Sequence, residues 1–205
     1  MRASPIIHLN GFPGTGKLTI ARELIDLLNS RLGTLGGEGE QALDASKLVH
    51  NHLLIDPADA ILHRTQPGYQ SLRKALREVI FTALVDEKAT HGTTYVFTDW
   101  QSGDSTGTQV CKEFITMSKN RGCEYIPVII TCDEDENCRR LIDGQREQWS
   151  KVRNVDLLLQ WRQRKDPPPV YEFRDLERRL EVDVTKLSAK QAAEAIFKHV
   201  SPYLS

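Results

Sequence analysis

The sequence comprises 205 residues, 40% of them hydrophobic and 27% charged, which is enough chain for one globular domain with its own core. With 27 Lys and Arg against 28 Asp and Glu, the net charge is −1, so a broad nucleic-acid or anionic-membrane surface is not expected. No apolar run approaches the ~20 residues of a membrane span, and Met1 to Pro5 is too short to be a signal peptide. The four cysteines lack CxxC spacing. We therefore predict a single domain over 1–205, in the cytoplasm, with free thiols and no cysteine-bound metal.

The first predicted elements are a strand, a glycine-rich loop and a helix, in that order. Ile6 to Leu9 is a short apolar run, residues 11–17 read Gly-Phe-Pro-Gly-Thr-Gly-Lys, and apolar residues recur at helical spacing from Ile20. Backbone N–H groups of such a loop can point at phosphate oxygens, the helix adds its positive dipole end, and Lys17 supplies a charge for the β- and γ-phosphates. A glycine-rich turn that binds nothing is the alternative, but it would not require the flanking strand and helix. The predicted nucleotide-binding residues are Gly11, Phe12, Pro13, Gly14, Thr15, Gly16, Lys17, Leu18 and Thr19.

Leu18 departs from the usual form of this loop, which has a Ser or Thr directly after the lysine to ligate magnesium. Leucine cannot bind a metal. Either Thr19 takes that role, or the ion is held by phosphates, waters and a carboxylate elsewhere in the chain.

The loop resembles that of the small nucleoside-monophosphate-type kinases, adenylate kinase among them, which often carry Gly and then Thr after the Lys. The wider chain is similar to small P-loop ATPases of unknown substrate near chloramphenicol phosphotransferase, gluconate kinase and shikimate kinase. This resemblance implies an α/β three-layer sandwich of the P-loop NTPase type, with a five-stranded parallel sheet, helices on both faces and a small helical lid, here at 133–165. It also implies ATP and Mg²⁺ as cofactors.

The remaining elements alternate between helix and strand patterns. Such alternation predicts a parallel sheet covered by helices on both faces, with the nucleotide at the carboxyl ends of the strands. We predict further strands over 40–44, 93–98, 125–130 and 180–184, and helices over 17–32, from 44–46, from 56, and over 72–91, 110–122, 134–144, 155–164 and 189–200, the last opened by a capping box at Ser188.

Two aspartates end predicted strands and are therefore expected at the nucleotide site. Asp99 follows the strand at 93–98, which is the pattern of an acidic residue that holds magnesium through water; a turn or helix cap is the alternative. Asp44 ends the strand at 40–44. By resemblance to the shikimate and gluconate kinases, Asp44 contacts the acceptor hydroxyl and accepts its proton, although it fits a helix N-cap equally well.

Arginines after the fourth strand are candidates to offset the charge of phosphoryl transfer. The resemblance puts such arginines in a mobile lid, and we favour Arg140 and Arg146 as phosphate clamps. The alternative is a solvated helix whose arginines pair with Asp133 to Glu136.

Three residues are candidates for the acceptor side. Arg73 and Arg77 lie four apart on the helix at 72–91. By resemblance, such a helix lines the acceptor site and carries an arginine for an anionic group, whereas surface arginines with exposed stems are the alternative. Trp100 follows Asp99 and either stacks on an acceptor ring or packs in the fold.

Two further positions lie at predicted strand ends. Thr185 follows the last strand, where by resemblance the loop passes the adenine. His50 and His52 follow the second strand, and their i, i+2 spacing does not face one way on a helix, so a metal pair is not expected. A polar contact to substrate and a loop position without a role both remain open for them.

These patterns and the resemblance predict a phosphotransferase that moves the γ-phosphoryl group of ATP to a hydroxyl of a small molecule. A nucleotide-dependent ATPase or switch without such an acceptor is the first alternative, because Leu18 removes the usual metal ligand. A nucleic-acid 5′-end kinase is the second, and the near-neutral charge counts against it. We expect a monomer or homodimer without membrane or nucleic-acid partners.

Overall fold

The computed structural model describes residues 2–35, 43–142 and 154–204. Short 3-10 turns lie at Lys88–Thr90 and Ser201–Tyr203. The strands are β1 (Ile6–Asn10), β2 (Thr34–Leu35), β3 (Leu43–Asp44), β4 (Ser46–His50), β5 (Thr94–Asp99), β6 (Tyr125–Thr131) and β7 (Leu180–Asp183), and the helices are α1 (Lys17–Leu32), α2 (His52–Asp59), α3 (Tyr69–Asp86), α4 (Ser105–Arg121), α5 (Glu134–Leu141), α6 (Val155–Arg162) and α7 (Ala189–Val200).

Five parallel strands form the central sheet, in the order β4-β5-β1-β6-β7. All residues of the middle strand β1 are buried, and its first residue, Ile6, is in register with Tyr95 of β5 and Tyr125 of β6. β2 and β3 form a separate antiparallel ladder. Because parallel strands all end on the same side, the segments that follow the five strands meet at one edge of the sheet, which we call the carboxyl edge.

Helices cover both faces of this sheet, as the sequence predicted. α1 and α7 pack on one face, where Leu24 and Ile196 join Ile130 of β6 in a buried apolar cluster. α3 and α4 cover the opposite face around Phe81 and Phe114. The predicted α/β three-layer sandwich with a five-stranded parallel sheet is therefore confirmed. Within the described ranges, no helix is both long and apolar enough to cross a bilayer.

The second sheet strand lies later in the chain than predicted. The pattern predicted a strand over 40–44 followed by a helix, but the structure has the strand β4 where that helix was expected. Of the predicted strand, residues 43–44 form β3, and 40–42 lie outside the described residues. Ser46, expected near a helix cap, instead donates from its backbone N–H and its hydroxyl to Asn29 Oδ1 on α1, both at 2.8 Å, and is in register with Thr94 of β5. Pairing and packing with distant segments outweigh the local capping signal.

Two other predicted boundaries differ from the structure or extend beyond it. α2 begins at His52, so Asp56 and Pro57 lie inside the helix rather than at its start. The predicted lid at 133–165 contains α5 and α6. The stretch between them, 143–153, lies outside the described residues, and with it the predicted phosphate clamp Arg146.

Candidate active site

The predicted phosphate loop joins β1 to α1 at the carboxyl edge. A Cβ on Gly11 would lie 2.3 Å from the carbonyl oxygen of Ile130 on β6, so only glycine lets the chain leave the sheet at this point. Gly14 and Gly16 have φ angles of 92° and 85°, which residues with a side chain rarely adopt. Gly16 is the N-cap of α1, and no side chain of the described residues caps this helix, so the geometry suits an anion at its first N–H groups.

The Lys17 ammonium group lies inside this loop. Its Nζ donates to the carbonyl oxygens of Gly11 at 2.7 Å and Phe12 at 2.6 Å, and it lies 3.4 Å from Thr15 Oγ1. The Thr15 hydroxyl in turn donates to the carbonyl of Phe12 at 2.9 Å. The ammonium group that is predicted to bind the phosphates therefore lies against the backbone of the loop.

The two residues after Lys17 differ in exposure. Leu18 is half-buried and Thr19 is exposed, both in the first turn of α1. Thr19 is therefore accessible from solvent at the N-terminus of the helix, which is compatible with its predicted role as a metal ligand.

Asp99 ends β5 directly beside the loop, in register with Asn10 of β1, and it is buried. Its Oδ1 accepts from the backbone N–H of Trp100 at 2.8 Å, and its Oδ2 accepts from the side-chain amide of Gln101. A carboxylate oxygen can accept more than one contact, so the position suits a hard cation. Among the described residues, no group of three or more His, Cys, Asp and Glu could hold a metal.

His8 lies under the loop on β1. Burial lowers the pKa of His8 to about 4, while the charges of Asp99 and Lys17 act on this pKa in opposite directions. The ring is therefore neutral at pH 7, and its Nδ1 is hydrogen-bonded to the Tyr125 hydroxyl at 2.7 Å. These contacts make His8 part of the buried support of the site.

A segment that sequence reasoning missed crosses the ends of β1 and β5. We call residues 168–171 the strap. Asn10 Nδ2 donates to the strap carbonyl of Tyr171 at 3.3 Å, and Trp100 Nε1 donates to that of Pro169 at 3.0 Å. A cavity of about 400 Å³ lies beside the strap and is also lined by Phe12 and Arg162. The run of prolines signalled only the end of a helix.

Trp100 packs between the phosphate loop and α6. Its ring centroid lies 4.3 Å from that of Trp161 and 6.2 Å from that of Phe12. The predicted acceptor-stacking residue is thus placed beside the loop, where it also contacts the lid helix.

Arg140 lies between the loop and the end of β7. Its Nε donates to Glu136 at 2.6 Å and its Nη2 to the carbonyl of Val184 at 2.9 Å. Its Nη1 lies 4.0 Å from the position that a Cβ on Gly16 would occupy. Hydrogen bonds from Arg139 and Arg140 lower the pKa of Glu136 to about 2. The predicted clamp therefore reaches the phosphate loop while paired to a carboxylate.

Arg162, on α6, is a site residue that the sequence did not single out. It donates to Asn137 Oδ1 at 3.0 Å and to the carbonyl of Cys132 at 3.1 Å, and its guanidinium carbon lies 5.3 Å from the Phe12 ring centroid. The fully buried Asn137 donates to the carbonyl of Pro13 at 2.8 Å. This chain of contacts joins both lid helices to the loop.

Thr185 joins the ends of β6 and β7. Its hydroxyl accepts from the backbone N–H of Asp133 at 2.8 Å and donates to Asp183 Oδ1 at 2.5 Å. Thr185 therefore lies at the same edge as the loop, on the Arg140 side.

The two predicted acceptor-side arginines have different surroundings. Arg73 Nη2 donates to Asn51 Oδ1 at 3.3 Å, just beyond the end of β4, and its buried Nε has no hydrogen-bond partner within the described parts of the chain. Arg77 lies between α3 and α4, where its guanidinium is 2.6 Å from Glu113 and only 9% of its side chain is exposed. The structure brings Arg73 to the carboxyl edge and engages Arg77 in a buried ion pair.

Asp44 does not lie at the carboxyl edge. It belongs to β3 and precedes β4, whose first residue, Ser46, is in register with Thr94 at the start of β5. Its backbone is thus at the edge where the sheet strands begin, opposite the phosphate loop. The chain positions His50, Asn51 and His52, rather than an aspartate, directly at the end of the second strand.

No protein-family model matches this chain, and no curated protein sequence matches it either. Solved structures do resemble it along nearly its whole length. A sugar kinase from a Janibacter species is 13% identical, with 97% of this chain and 95% of that chain covered and a TM-score of 0.60. The tunicamycin resistance protein of Deinococcus radiodurans is 19% identical, with 96% and 95% covered and a TM-score of 0.55. The Mycobacterium tuberculosis APS kinase, solved with AMPPNP and APS, is 12% identical, with 98% and 99% covered and a TM-score of 0.58. The chain has the fold of the small P-loop kinases.

Proposed function

We propose that the protein moves the γ-phosphoryl group of ATP to a hydroxyl of a small molecule. The observation that carries this proposal is the loop at 11–17, with its glycine conformations, the inward Lys17 ammonium and the uncapped start of α1. Backbone N–H groups, a helix dipole and an ammonium group together suit a polyphosphate tail. Similar solved structures that are named as kinases support phosphoryl transfer.

We assign the neutralisation of the transferred group to Lys17, Arg140 and Arg162. Both arginines approach the loop: Arg140 lies near Gly16, and Arg162 lies over the Phe12 ring and is also joined to Pro13 through Asn137. Guanidinium groups offset the charge that spreads over the phosphoryl oxygens in the transition state. Arg146 stays a prediction from the sequence alone.

We propose that Asp99 helps to hold Mg²⁺ through water, with Thr19 as a second candidate ligand. The burial of Asp99 and its place beside the loop support this role. When bound, the ion would offset the negative charge of the phosphate oxygens. On the other side of the loop, we propose that the turn at Thr185 borders the adenine.

The acceptor site is proposed to lie where β4 and β5 end. Arg73 supplies a guanidinium group there, and Trp100 forms an apolar wall beside the loop. Arg77 and Asp44 are not part of this proposal, because Arg77 is paired with Glu113 and Asp44 lies at the opposite edge.

A nucleotide-dependent ATPase or switch is the second candidate. Leu18 favours it, because the residue that usually ligates magnesium is absent from the loop. In that case ATP would be hydrolysed without a small-molecule acceptor, and hydrolysis would gate a protein partner.

The deciding experiment incubates the protein with [γ-³²P]ATP, Mg²⁺ and pooled metabolites that include an oligonucleotide. We expect a labelled small molecule whose formation requires the pool. Released phosphate without a labelled product would support the ATPase, and a labelled 5′ end would support the nucleic-acid kinase. Calorimetric titration with AMPPNP and Mg²⁺ that gave no heat would contradict all three.

A further inference from the structure

We propose that His52, oriented by Asp56, accepts the proton of the acceptor hydroxyl during phosphoryl transfer. The inference rests on the proposed function, since it names the general base of that same site. A positioned base near the hydroxyl contributes to such a reaction, and the residue implied by resemblance, Asp44, lies at the opposite edge of the sheet.

His52 is brought to the carboxyl edge by the turn after β4. The backbone N–H of Asn51 donates to the carbonyl of Thr98 at 3.1 Å, one residue before Asp99, and the Asn51 side chain accepts from Arg73. His52 follows as the first residue of α2. It therefore lies in the proposed acceptor region, next to a residue that is bonded to both β5 and α3.

The ring of His52 is paired with a carboxylate one helical turn away. Its Nδ1 lies 3.0 Å from Asp56 Oδ1, and the two side chains are 16% and 39% exposed. A neutral ring that donates Nδ1–H to Asp56 has Nε2 as its proton-accepting nitrogen. The partial exposure lets a small molecule approach this pair.

The neighbouring carboxylates are held by other donors. Asp59 lies 3.4 Å from the Arg64 guanidinium and accepts a hydrogen bond from Tyr69. Asp99 accepts from the backbone of Trp100 and the side chain of Gln101, and is proposed above for magnesium. An imidazole oriented by a carboxylate is the better-suited base at this edge.

In the proposed step, the acceptor oxygen forms a bond to the γ-phosphorus of ATP. The bond from that phosphorus to the β,γ-bridging oxygen breaks, and its electron pair remains on ADP. The hydroxyl proton moves to His52 Nε2, and the Asp56 carboxylate stabilises the resulting imidazolium. The proton passes to solvent once the products leave.

The first test compares His52→Gln with the whole wild-type protein in the pooled-metabolite assay. We expect the rate of labelled product formation to fall by about 10²- to 10⁴-fold. The dissociation constant for AMPPNP with Mg²⁺ should not change, because the proposal assigns His52 a role in proton transfer and none in nucleotide binding. His63→Gln is the matched control, since that ring is hydrogen-bonded to Thr65 in the loop after α2, and it should keep wild-type transfer.

The outcomes of this test separate the two proposals. Wild-type transfer by His52→Gln would overturn the base assignment and leave the phosphotransferase standing. A wild-type protein that bound no nucleotide, or labelled no metabolite, would remove both.

A second measurement does not depend on activity or on how well His52→Gln folds. In ¹⁵N-edited NMR spectra of histidine-labelled protein, we expect His52 in the Nδ1–H tautomer, and a mixture of tautomers in Asp56→Ala. Asp56→Ala should also reduce transfer, by less than His52→Gln does. A wild-type His52 in the Nε2–H tautomer would overturn the inference.

Discussion

At the scale of single residues, Lys17 is the side chain on which the proposed activity depends most directly. Lys17→Ala should lower phosphoryl transfer by about 10²-fold or more, because it removes a positive charge aimed at the transferred group. The fold should persist, since the hydrogen bonds described for the ammonium group go to the loop itself and not to the buried cores on either face of the sheet. Transfer assays and circular dichroism check this, with the exposed Lys190→Ala on α7 as the control. Unchanged turnover in Lys17→Ala would refute its assigned role.

Gly11 allows a second prediction at this scale, on stability. Gly11→Ala should lower the free energy of unfolding by about 2 kcal/mol or more, because the new Cβ would meet the Ile130 carbonyl oxygen at 2.3 Å. Gly122→Ala is the comparison: Gly122 has a left-handed conformation with φ at 71°, but no atom of the described residues lies within 4 Å of the new Cβ. That change should cost only about 1 kcal/mol. Equal urea midpoints for the two variants would show that the close approach to β6 does not matter.

The residues that sequence reasoning located and those that it missed differ in how local their signals are. The phosphate loop is contiguous, so its residue types and spacing predicted its shape. Asp44 lies at the edge opposite the loop because the sheet strand begins after it, at Ser46, so Asp44 precedes that strand and does not end it. Arg162 and Asn137 could not be found, since their places depend on a contact to Pro13, 124 residues from Asn137.

At the scale of elements, Asn137 is the contact that joins the lid helices to the loop. Asn137→Ala should reduce AMPPNP affinity and lower the free energy of unfolding by about 1–3 kcal/mol, because it leaves the Pro13 carbonyl without this donor and Arg162 without one acceptor. Gln160→Ala, an exposed change on α6, is the matched control. Calorimetry and urea denaturation measure both effects, and wild-type affinity in Asn137→Ala would mean that the lid does not influence the loop.

Elements were predictable where local signals and packing agree. The capping box at Ser188 is present, with Gln191 as its partner, and α7 begins directly after it. At β4 the local signal and the packing conflict. Ser46 is a residue type that often caps helices, but its hydrogen bond to Asn29 and its pairing with β5 place it in the sheet. The strand is therefore defined by contacts that no local window contains.

At the scale of the whole molecule, alternating strands and helices predicted the layered architecture, but not the strand order. That order depends on which strands pair across the chain, as when β1 is inserted between β5 and β6. Local patterns indicate where strands occur, but they do not determine which strands pair with each other.

The stability of the whole chain should fall as the solution becomes acidic, through His8. Its pKa is about 4 in the folded protein and 6.5 when unperturbed, so between these values the unfolded chain binds the proton more readily. The stabilisation is complete above pH 6.5 and declines as pH falls towards 4, by about 3 kcal/mol in all. Urea unfolding at pH 7.5 and pH 4.5 measures this loss. His8→Gln should show a smaller loss, and equal losses in both proteins would assign the effect to other groups.

The strap has a consequence for how the lid can be built. A few residues after α6, the chain contacts Trp100, which follows Asp99, and Asn10, which directly precedes the phosphate loop. Because this connection is short, the end of the lid that carries Arg162 can move only a small distance from the ends of β1 and β5. A truncation that ended before residue 168 would remove these contacts together with β7 and α7, so the chain after α6 would lose its short connection to the ends of β1 and β5.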